Sequence, residues 1–459
     1  MKKQFYWLLG IGLVAFLARL LFLVIFGGLD NDLHDSSPDQ ALFIDLARNM
    51  VAGHGFTVST DYWVATAGKP TSLMPPFYPL FLAFCFKIFG ENFIVVRLIQ
   101  VLLSVSIPVM VYFIGRIIFN RPVGLIAAAG TALYPPLVMY VRPLMSESLF
   151  YPMLVGLALL TCLLVQPDPK KWLYPLWGLL AGVSILTRSE VALVVGLLLL
   201  YLGFHHLRAY RLSRKTILTL SFTVIVLALT LVPYASYNYA AHGNFSPLPN
   251  KKWTFWDSTW MEAMRNTPEW QGVSLPERKV VPNWYQLTEI ERDNYLWNMG
   301  VQYVLQHPDV YLSQRARYFL WSFPVLPVEL FRTGQADGAK YGPTSLDDRV
   351  QYVTLAEQVR VWVFRLMLVL ALGGIGMNLF YYKYRQKAFT LYIILGWNLF
   401  LAIAFNGSER MRLQVDSFFM LFAAFFIYEL WFLQKARARV KRLQVQKTEA
   451  GFEEQPSLT

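Results

Sequence analysis

The run Phe77-Tyr78-Pro79-Leu80-Phe81-Leu82-Ala83-Phe84-Cys85-Phe86-Lys87-Ile88-Phe89 decides how this chain is threaded. It is apolar enough to enter a bilayer, yet it starts behind Pro75-Pro76, carries Lys87 near its end and falls short of the ~20 residues a spanning helix needs. If it crosses, every later segment changes side. Around it, hydropathy places spans at about 5–28, 93–115, 122–141, 148–166, 172–187, 189–207, 216–234, 361–382, 389–406 and 413–433, ten in all.

Positive charge resolves the threading. With Phe77 to Phe89 lying in the interface, one side of the membrane collects Arg116 and Arg121, Lys170 and Lys171, the cluster Arg208, Arg211, Arg214 and Lys215, and the cluster Lys383, Arg385 and Lys387. The tail adds Lys435, Arg437, Arg439, Lys441 and Arg442 to that side. Short cytoplasmic connections carry such an excess of Lys and Arg. A crossing at Phe77 to Phe89 would put all of these clusters on the wrong face, so the run reads as an interfacial helix with aromatic anchors. Both termini are then cytoplasmic.

Composition agrees. With 56% hydrophobic and 15% charged residues and a mean hydropathy of +0.40, the chain is too apolar for a water-soluble globule. The expected class is an all-α polytopic membrane protein with about ten transmembrane helices, an interfacial helical loop and a long outer segment. Residues 5–28 follow Lys2-Lys3 and lack a small-x-small cleavage site, so they read as a retained anchor. Cys85 and Cys162 fall in different apolar segments and imply neither a disulfide framework nor a metal site. The expected division is 1–234, with the outer loop 29–92 inside it, then an outer-face segment 235–360, helices over 361–433 and a basic tail 434–459.

The outer face therefore gathers the unusual polar chemistry. The loop after the first span holds Asp30, Asp32, Asp35, Asp39 and Asp45 in a chain of net charge +12. The long segment carries Trp253, Trp256, Trp260, Trp270, Trp284, Trp297 and Trp321, with helices expected around Leu287 to Gln306 and Pro308 to Phe323. Asp39 follows Ser36-Ser37-Pro38 and opens a helix. It is either a helix-terminal anion favoured by the macrodipole or a general base at the membrane surface, where partial desolvation raises basicity. Glu147, in Arg142-Pro143-Leu144-Met145-Ser146-Glu147-Ser148, is a cap, an ion-pair partner of Arg142 or a functional carboxylate; Pro143 aims this turn inward.

Arg188, in Leu186-Thr187-Arg188-Ser189-Glu190, is either a snorkelling cation neutralised by Glu190 or a grip on an anionic ligand such as phosphate. Arg410 and Arg412, in Asn406-Gly407-Ser408-Glu409-Arg410-Met411-Arg412, pose the same choice. Three cations converging on one face favour a bound anion. Arg19, inside the first span, either pairs with a buried acid or snorkels outward. His54 has no histidine at ligand spacing, so no metal site is expected there. No Gly-rich phosphate loop, Ser/His/Asp set or soluble nucleotide-binding domain is present, and no nucleic-acid partner is expected.

At these residues the chain resembles the polytopic GT-C glycosyltransferases that use polyprenyl-phosphate sugars, the group of protein O-mannosyltransferases (family 39-type) and lipid A aminoarabinose transferases. Asp39, Phe43, Leu46, Ala47, Asn49, Met50 and Gly53 occupy the pattern that follows the first span in that group. The match continues through Pro75-Pro76-Phe77-Tyr78-Pro79-Leu80, Phe89-Gly90-Glu91-Asn92, Arg97, Leu133-Tyr134-Pro135 and Ser146-Glu147-Ser148-Leu149-Phe150. Leu186-Thr187-Arg188, Val232-Pro233-Tyr234, Asn238-Tyr239, Gln306-His307-Pro308 and Arg410-Met411-Arg412-Leu413 extend it. Three positions depart: Met74 stands where a basic residue often precedes the Pro-Pro pair, Tyr237 where an arginine is usual and Gln414 where a proline is typical.

The resemblance implies a glycosyltransferase of the bacterial inner membrane, with its site on the outer face. It implies a sugar donor on polyprenyl phosphate and an acceptor hydroxyl or amine on a glycolipid, polysaccharide or protein. Asp39 would be the general base of an inverting displacement and Glu147 would orient acceptor or sugar. Arg188 and Arg410 or Arg412 would hold phosphate, with Lys69, Lys251 or Lys252 replacing the missing basic positions. No cofactor is implied beyond a weakly held divalent cation. The competing class is a transporter or flippase of lipid-linked sugars, which also needs a basic phosphate site.

Overall fold

The computed structural model describes residues 2–33, 37–210, 214–264, 267–270, 273, 275–324, 355–405 and 407–453. Asp35, Ser36, Arg211, Asn406 and positions 325–354 of the long segment lie outside the described residues, as do the side chains of Arg214, Lys215, Trp321, Lys383, Arg437, Lys441 and Arg442.

Helices dominate. The amino-terminal part runs α1 (Lys2–Ile25), α2 (Pro38–Val51), α3 (Phe77–Phe89), α4 (Phe93–Ile118), α5 (Arg121–Leu133), α6 (Pro135–Met139), α7 (Glu147–Leu164), α8 (Leu173–Thr187), α9 (Ala192–Tyr210) and α10 (Arg214–His242). The long segment that follows carries α11 (Glu289–Gln306) and α12 (Pro308–Ser322), and the chain continues through α13 (Leu355–Phe380), α14 (Phe389–Ala404) and α15 (Glu409–Glu453). Among the described residues the only β pairing is two isolated bridges, Thr57 with Pro70 and Tyr62 with Ala65.

Among the described residues, seven helices are long and apolar enough to cross a membrane: Tyr6–Ile25, Phe93–Ile118, Glu147–Leu164, Ser189–Arg208, Ile217–His242, Val359–Phe380 and Glu409–Ala436. Large apolar side chains stand exposed along them, such as Leu13, Leu17 and Leu21 on α1 and Trp362, Leu366 and Val369 on α13. Lipid, not water, is the solvent such surfaces require. Three further expected spans form shorter apolar helices, Arg121–Leu133, Leu173–Thr187 and Phe389–Ala404. The run expected over 122–141 is broken because Tyr134, held extended before Pro135, cannot continue the helix.

Backbone chemistry sets the boundaries near the outer loop. Pro38 occupies the first turn of α2. Gly53, at φ +84°, lets the chain leave it. Asn92 caps α4 by accepting from the amides of Ile94 and Val95. The decisive run is α3, whose 13 residues extend about 20 Å, short of a ~30 Å hydrocarbon core. Tyr78, Leu82, Cys85 and Phe86 are buried on one face of α3, while Leu80, Phe84 and Ile88 are exposed. Its inner face packs on α2.

The bundle is tight where small residues let backbones meet. A Cβ on Gly115 of α4 would lie 2.7 Å from the Cα of Gly124 on α5, and one on Gly374 of α13 would overlap the carbonyl of Phe422 on α15. Arg19 neither pairs with an acid nor reaches outward. It is fully buried, donating to the Ser104 hydroxyl at 2.7 Å and to the carbonyls of Ala15 and Ala132 at 3.0 Å. A second core lies over one end of the bundle, where α2, α3 and the start of α7 meet Trp253, Trp256, Trp270 and Trp284 of the outer segment. Its helix α11 opens with a reciprocal cap between Thr288 and Glu291. The two outer-segment helices expected from sequence correspond to α11 and α12.

Candidate active site

Six parts of the chain meet at one cleft. A small open cleft is lined by Asp39 and Phe43 from α2, Met74 and Pro75 before α3, Ser146 before α7, Thr187, Arg188 and Glu190 around the α8–α9 turn, Lys251 from the outer segment and Arg410 from α15. Four chain breaks aim these residues inward. Ser37-Pro38 starts α2, Pro75-Pro76 starts α3, Pro143 precedes α7, and Arg188 turns extended between α8 and the short helical turn Ser189–Val191.

The charged side chains form one alternating line. Arg410 Nη1 donates to Asp39 Oδ2 at 2.6 Å, and Arg410 Nε donates to Glu147 Oε1. Arg188 Nη1 donates to the same Glu147 oxygen at 2.5 Å, and Arg188 Nε to Glu190 Oε1 at 2.6 Å. The order is Asp39, Arg410, Glu147, Arg188, Glu190: three carboxylates joined by two guanidinium forks. Arg188 also lies over the Phe150 ring at 5.7 Å, and the Arg410 carbonyl accepts from Tyr151 at 2.9 Å.

Exposure divides the line into a wall and a floor. The Glu147 side chain is 0% exposed, whereas Asp39 is 27% and Arg410 30% exposed. A carboxylate that deep is tolerable only because both its neighbours are cations. Burial works against the Asp39 charge, but Arg410 and, farther off, Lys251 outweigh it and hold that carboxyl below the usual aspartate range. The expected rise in Asp39 basicity from desolvation is therefore reversed by the arginine that holds it. Burial also opposes the Arg188 charge, and Glu190 and Glu147 more than restore it.

The structure brings Asp39, Glu147, Arg188 and Arg410 together, and it does not bring Arg412 or Lys69. Residues two apart on a helix point about 200° from one another, so Arg412 faces away from Arg410. It is fully enclosed, donating to Asp416 at 3.2 Å and to the Ser322 carbonyl at 2.8 Å, and stacked 3.6 Å over Phe364. The expected convergence of three arginines reduces to two. Lys69 is exposed and does not line the cleft. Lys252 is turned to Asn294 at 2.6 Å. Arg142 donates to the Phe26 carbonyl at 2.9 Å, leaving Glu147 to the two arginines. Glu190 enters as the outer end of the line; its spacing from Arg188 was the only sequence signal for it. Among the described residues, no three His, Cys, Asp or Glu side chains are grouped to hold a metal ion.

A family model described as dolichyl-phosphate-mannose-protein mannosyltransferase matches residues 74–235, a span containing Glu147, Arg188 and Glu190. An apo crystal structure of the oligosaccharyltransferase of Archaeoglobus fulgidus superposes at TM-score 0.55 and 14% identity, over 95% of this chain and 52% of that one. The archaeal oligosaccharyltransferase AglB of the same organism, solved with an inhibitory peptide and a dolichol-phosphate, gives TM-score 0.54 and 14% identity over 96% and 52%. ArnT from Cupriavidus metallidurans bound to undecaprenyl phosphate superposes more loosely, at 0.43 and 14% identity over 93% and 78%. The chain spans about half the length of the two archaeal structures. No curated protein matches. What the chain shares with the two archaeal structures is their fold.

Proposed function

We propose that this protein transfers a sugar from a polyprenyl-phosphate donor to an acceptor hydroxyl or amine in the cleft beside Asp39. The observation that carries the reading is the alternating line itself. Its floor at Glu147 is sealed, and at the Asp39 end the carboxylate is held by Arg410, the more exposed of the two arginines and so the one a phosphate can recruit. A family model for mannosyl transfer from a dolichyl phosphate matches the chain around Glu147 and Arg188, and a structural relative was solved with dolichol-phosphate. Both support a lipid-linked donor.

In this reading the lipid tail lies in the bilayer and the donor phosphate enters against Arg410. Guanidinium forks suit phosphate oxygens. The phosphate draws Arg410 away from Asp39 and so weakens the pull that keeps Asp39 a poor base. Asp39 then accepts the proton of the acceptor O–H or N–H as that atom attacks the anomeric carbon. The anomeric C–O bond to phosphate breaks, its electron pair leaves with polyprenyl phosphate, and the configuration inverts. Glu147, too deep to touch a sugar, holds Arg188 and Arg410 in place. Lys69 and Arg412 take no part in holding phosphate. The site faces the outer side of a bacterial inner membrane, with both termini cytoplasmic.

The test is transfer by the purified protein in detergent, with no sealed membrane. Radiolabelled sugar on polyprenyl phosphate should pass to an acceptor extracted from the cell envelope. Binding of the donor without transfer would sink the enzyme reading and favour a carrier of lipid-linked sugars.

A further inference from the structure

We infer that Lys251 is the residue that first takes the charge of the donor phosphate; the inference rests on the glycosyl-transfer reading above. Charge counting leads to it. Arg188, Lys251 and Arg410 face Asp39, Glu147 and Glu190, so the site is neutral as a whole. In a neutral site the cation that meets an arriving anion first is the one not already held by ion pairs, and a shared cation follows once its own carboxylates are displaced. Arg188 is held by Glu147 and Glu190, and Arg410 by Asp39 and Glu147. Lys251 lines the same cleft, and among the described residues no hydrogen bond or ion pair holds its ammonium group, which acts on Asp39 and Glu190 through space.

Its backbone is pinned on both sides, which makes its presence in the cleft a property of the fold. The Asn250 amide donates to the Ser72 carbonyl at 2.8 Å, and the Asn250 side chain to Glu289 at 3.2 Å. The Lys251 carbonyl accepts from the Thr254 hydroxyl at 2.7 Å. The Trp253 amide donates to Asp293 at 2.7 Å, and the Trp253 ring stacks on Trp63 at 4.9 Å. Asn250 and Trp253 thus clamp the residues between them against the first loop and α11. Lys252 leaves this clamp toward Asn294, and Lys251 toward the cleft.

A lysine ammonium is a compact charge on a flexible stem, suited to follow an anion that changes during a reaction. The donor phosphodiester carries one negative charge, and the released polyprenyl phosphate carries more near neutral pH. Lys251 meets the first and stabilises the second, while Arg410 is drawn from Asp39.

The experiment compares binding of polyprenyl phosphate and of uncharged polyprenol of equal length to the full-length protein in detergent, followed by tryptophan fluorescence. Wild type is expected to prefer the phosphate. Lys251→Met should weaken phosphate binding by about 10- to 100-fold, the loss of one charge-assisted contact, and leave polyprenol binding alone. Lys251→Arg should restore most of the preference, and Lys252→Met should change neither. Wild-type-like phosphate binding by Lys251→Met overturns the assignment and leaves the donor reading standing. Absence of any phosphate preference in wild type overturns both. Phosphatidylglycerol and inorganic phosphate are run as competitors; displacement by either at equal concentration makes Lys251 a general anion contact and overturns its assignment to the donor.

Discussion

Arg410 and Arg412 stand two residues apart on α15, each paired with carboxylates, yet they belong to different kinds of site. Arg412, Asp416 and Tyr134 are enclosed: both ionic side chains are 0% exposed, Tyr134 donates to Asp416 at 2.7 Å, and only a longer contact of Arg412, at 3.4 Å, runs out to the part-exposed Glu409. Arg410 is 30% exposed and shared between Asp39 and Glu147. A cation wholly enclosed with its own acid is satisfied and has nothing to offer a ligand. One stretched between two acids at the edge of a cleft can be released by a competing anion. Within a membrane protein, burial marks an ion pair as structural, and a shared, half-open cation marks it as a place where a ligand can intervene.

The sharpest break between the two would come from neutralising their acids. Asp39→Asn should lower transfer by on the order of 10²–10⁴-fold, the usual worth of a general base, while thermal unfolding in detergent changes little. Asp416→Asn should do the reverse, retaining the donor KM in the protein that folds. Wild-type-like transfer by Asp39→Asn at equal expression would remove Asp39 from the mechanism.

Removing the cations separates the sites by stability. Arg412→Met leaves Asp416 charged and enclosed, an arrangement that costs roughly 3–5 kcal/mol when a buried pair is broken. Arg410→Met leaves Asp39 open to water and Glu147 still held by Arg188, so its stability loss should be smaller and its loss of transfer larger. Unfolding curves and initial rates for the two variants decide it. A greater destabilisation by Arg410→Met would mean that the line is a structural device like the other.

How much of this could be read beforehand follows from the length of the pattern involved. The apolar runs of α4, α7, α10 and α13 are long, and hydropathy finds them. Tyr134-Pro135 was present in the sequence as a break, but the apolar character of 122–141 ran across it and hid the split into α5 and α6. Asp39, Glu147 and Arg188 were visible because each interrupts apolar sequence beside a proline or a tight turn. Arg412 misled because neighbours in sequence seemed to share a task, although helical geometry sets them on opposite faces. Lys251 was unremarkable beside Lys252. Only the distant partners of Asn250 and Trp253, on the first loop and α11, distinguish the two lysines, and such contacts leave no local pattern.

The smallest expected effect is a displacement in pH, and it distinguishes the two arginines without removing either acid. Burial, the largest single influence, raises the Asp39 pKa, and Arg410 and Lys251 together lower it by more, so the net value lies below that of an unfolded aspartate. A depressed value means that the carboxylate is ionised at neutral pH. Transfer, and the stability contributed by the ion pair, should therefore persist down through the unfolded pKa and be lost only as pH falls through the folded one. Arg410→Gln removes the larger attraction and leaves burial, so the acidic limb of kcat/KM should move upward in pH. Arg412→Gln should leave the limb where it is, because Asp416 lies off the proton's path. Superimposable limbs for wild type and Arg410→Gln would show that Arg410 does not set the basicity of Asp39, and the release of that base by an arriving phosphate would lose its footing.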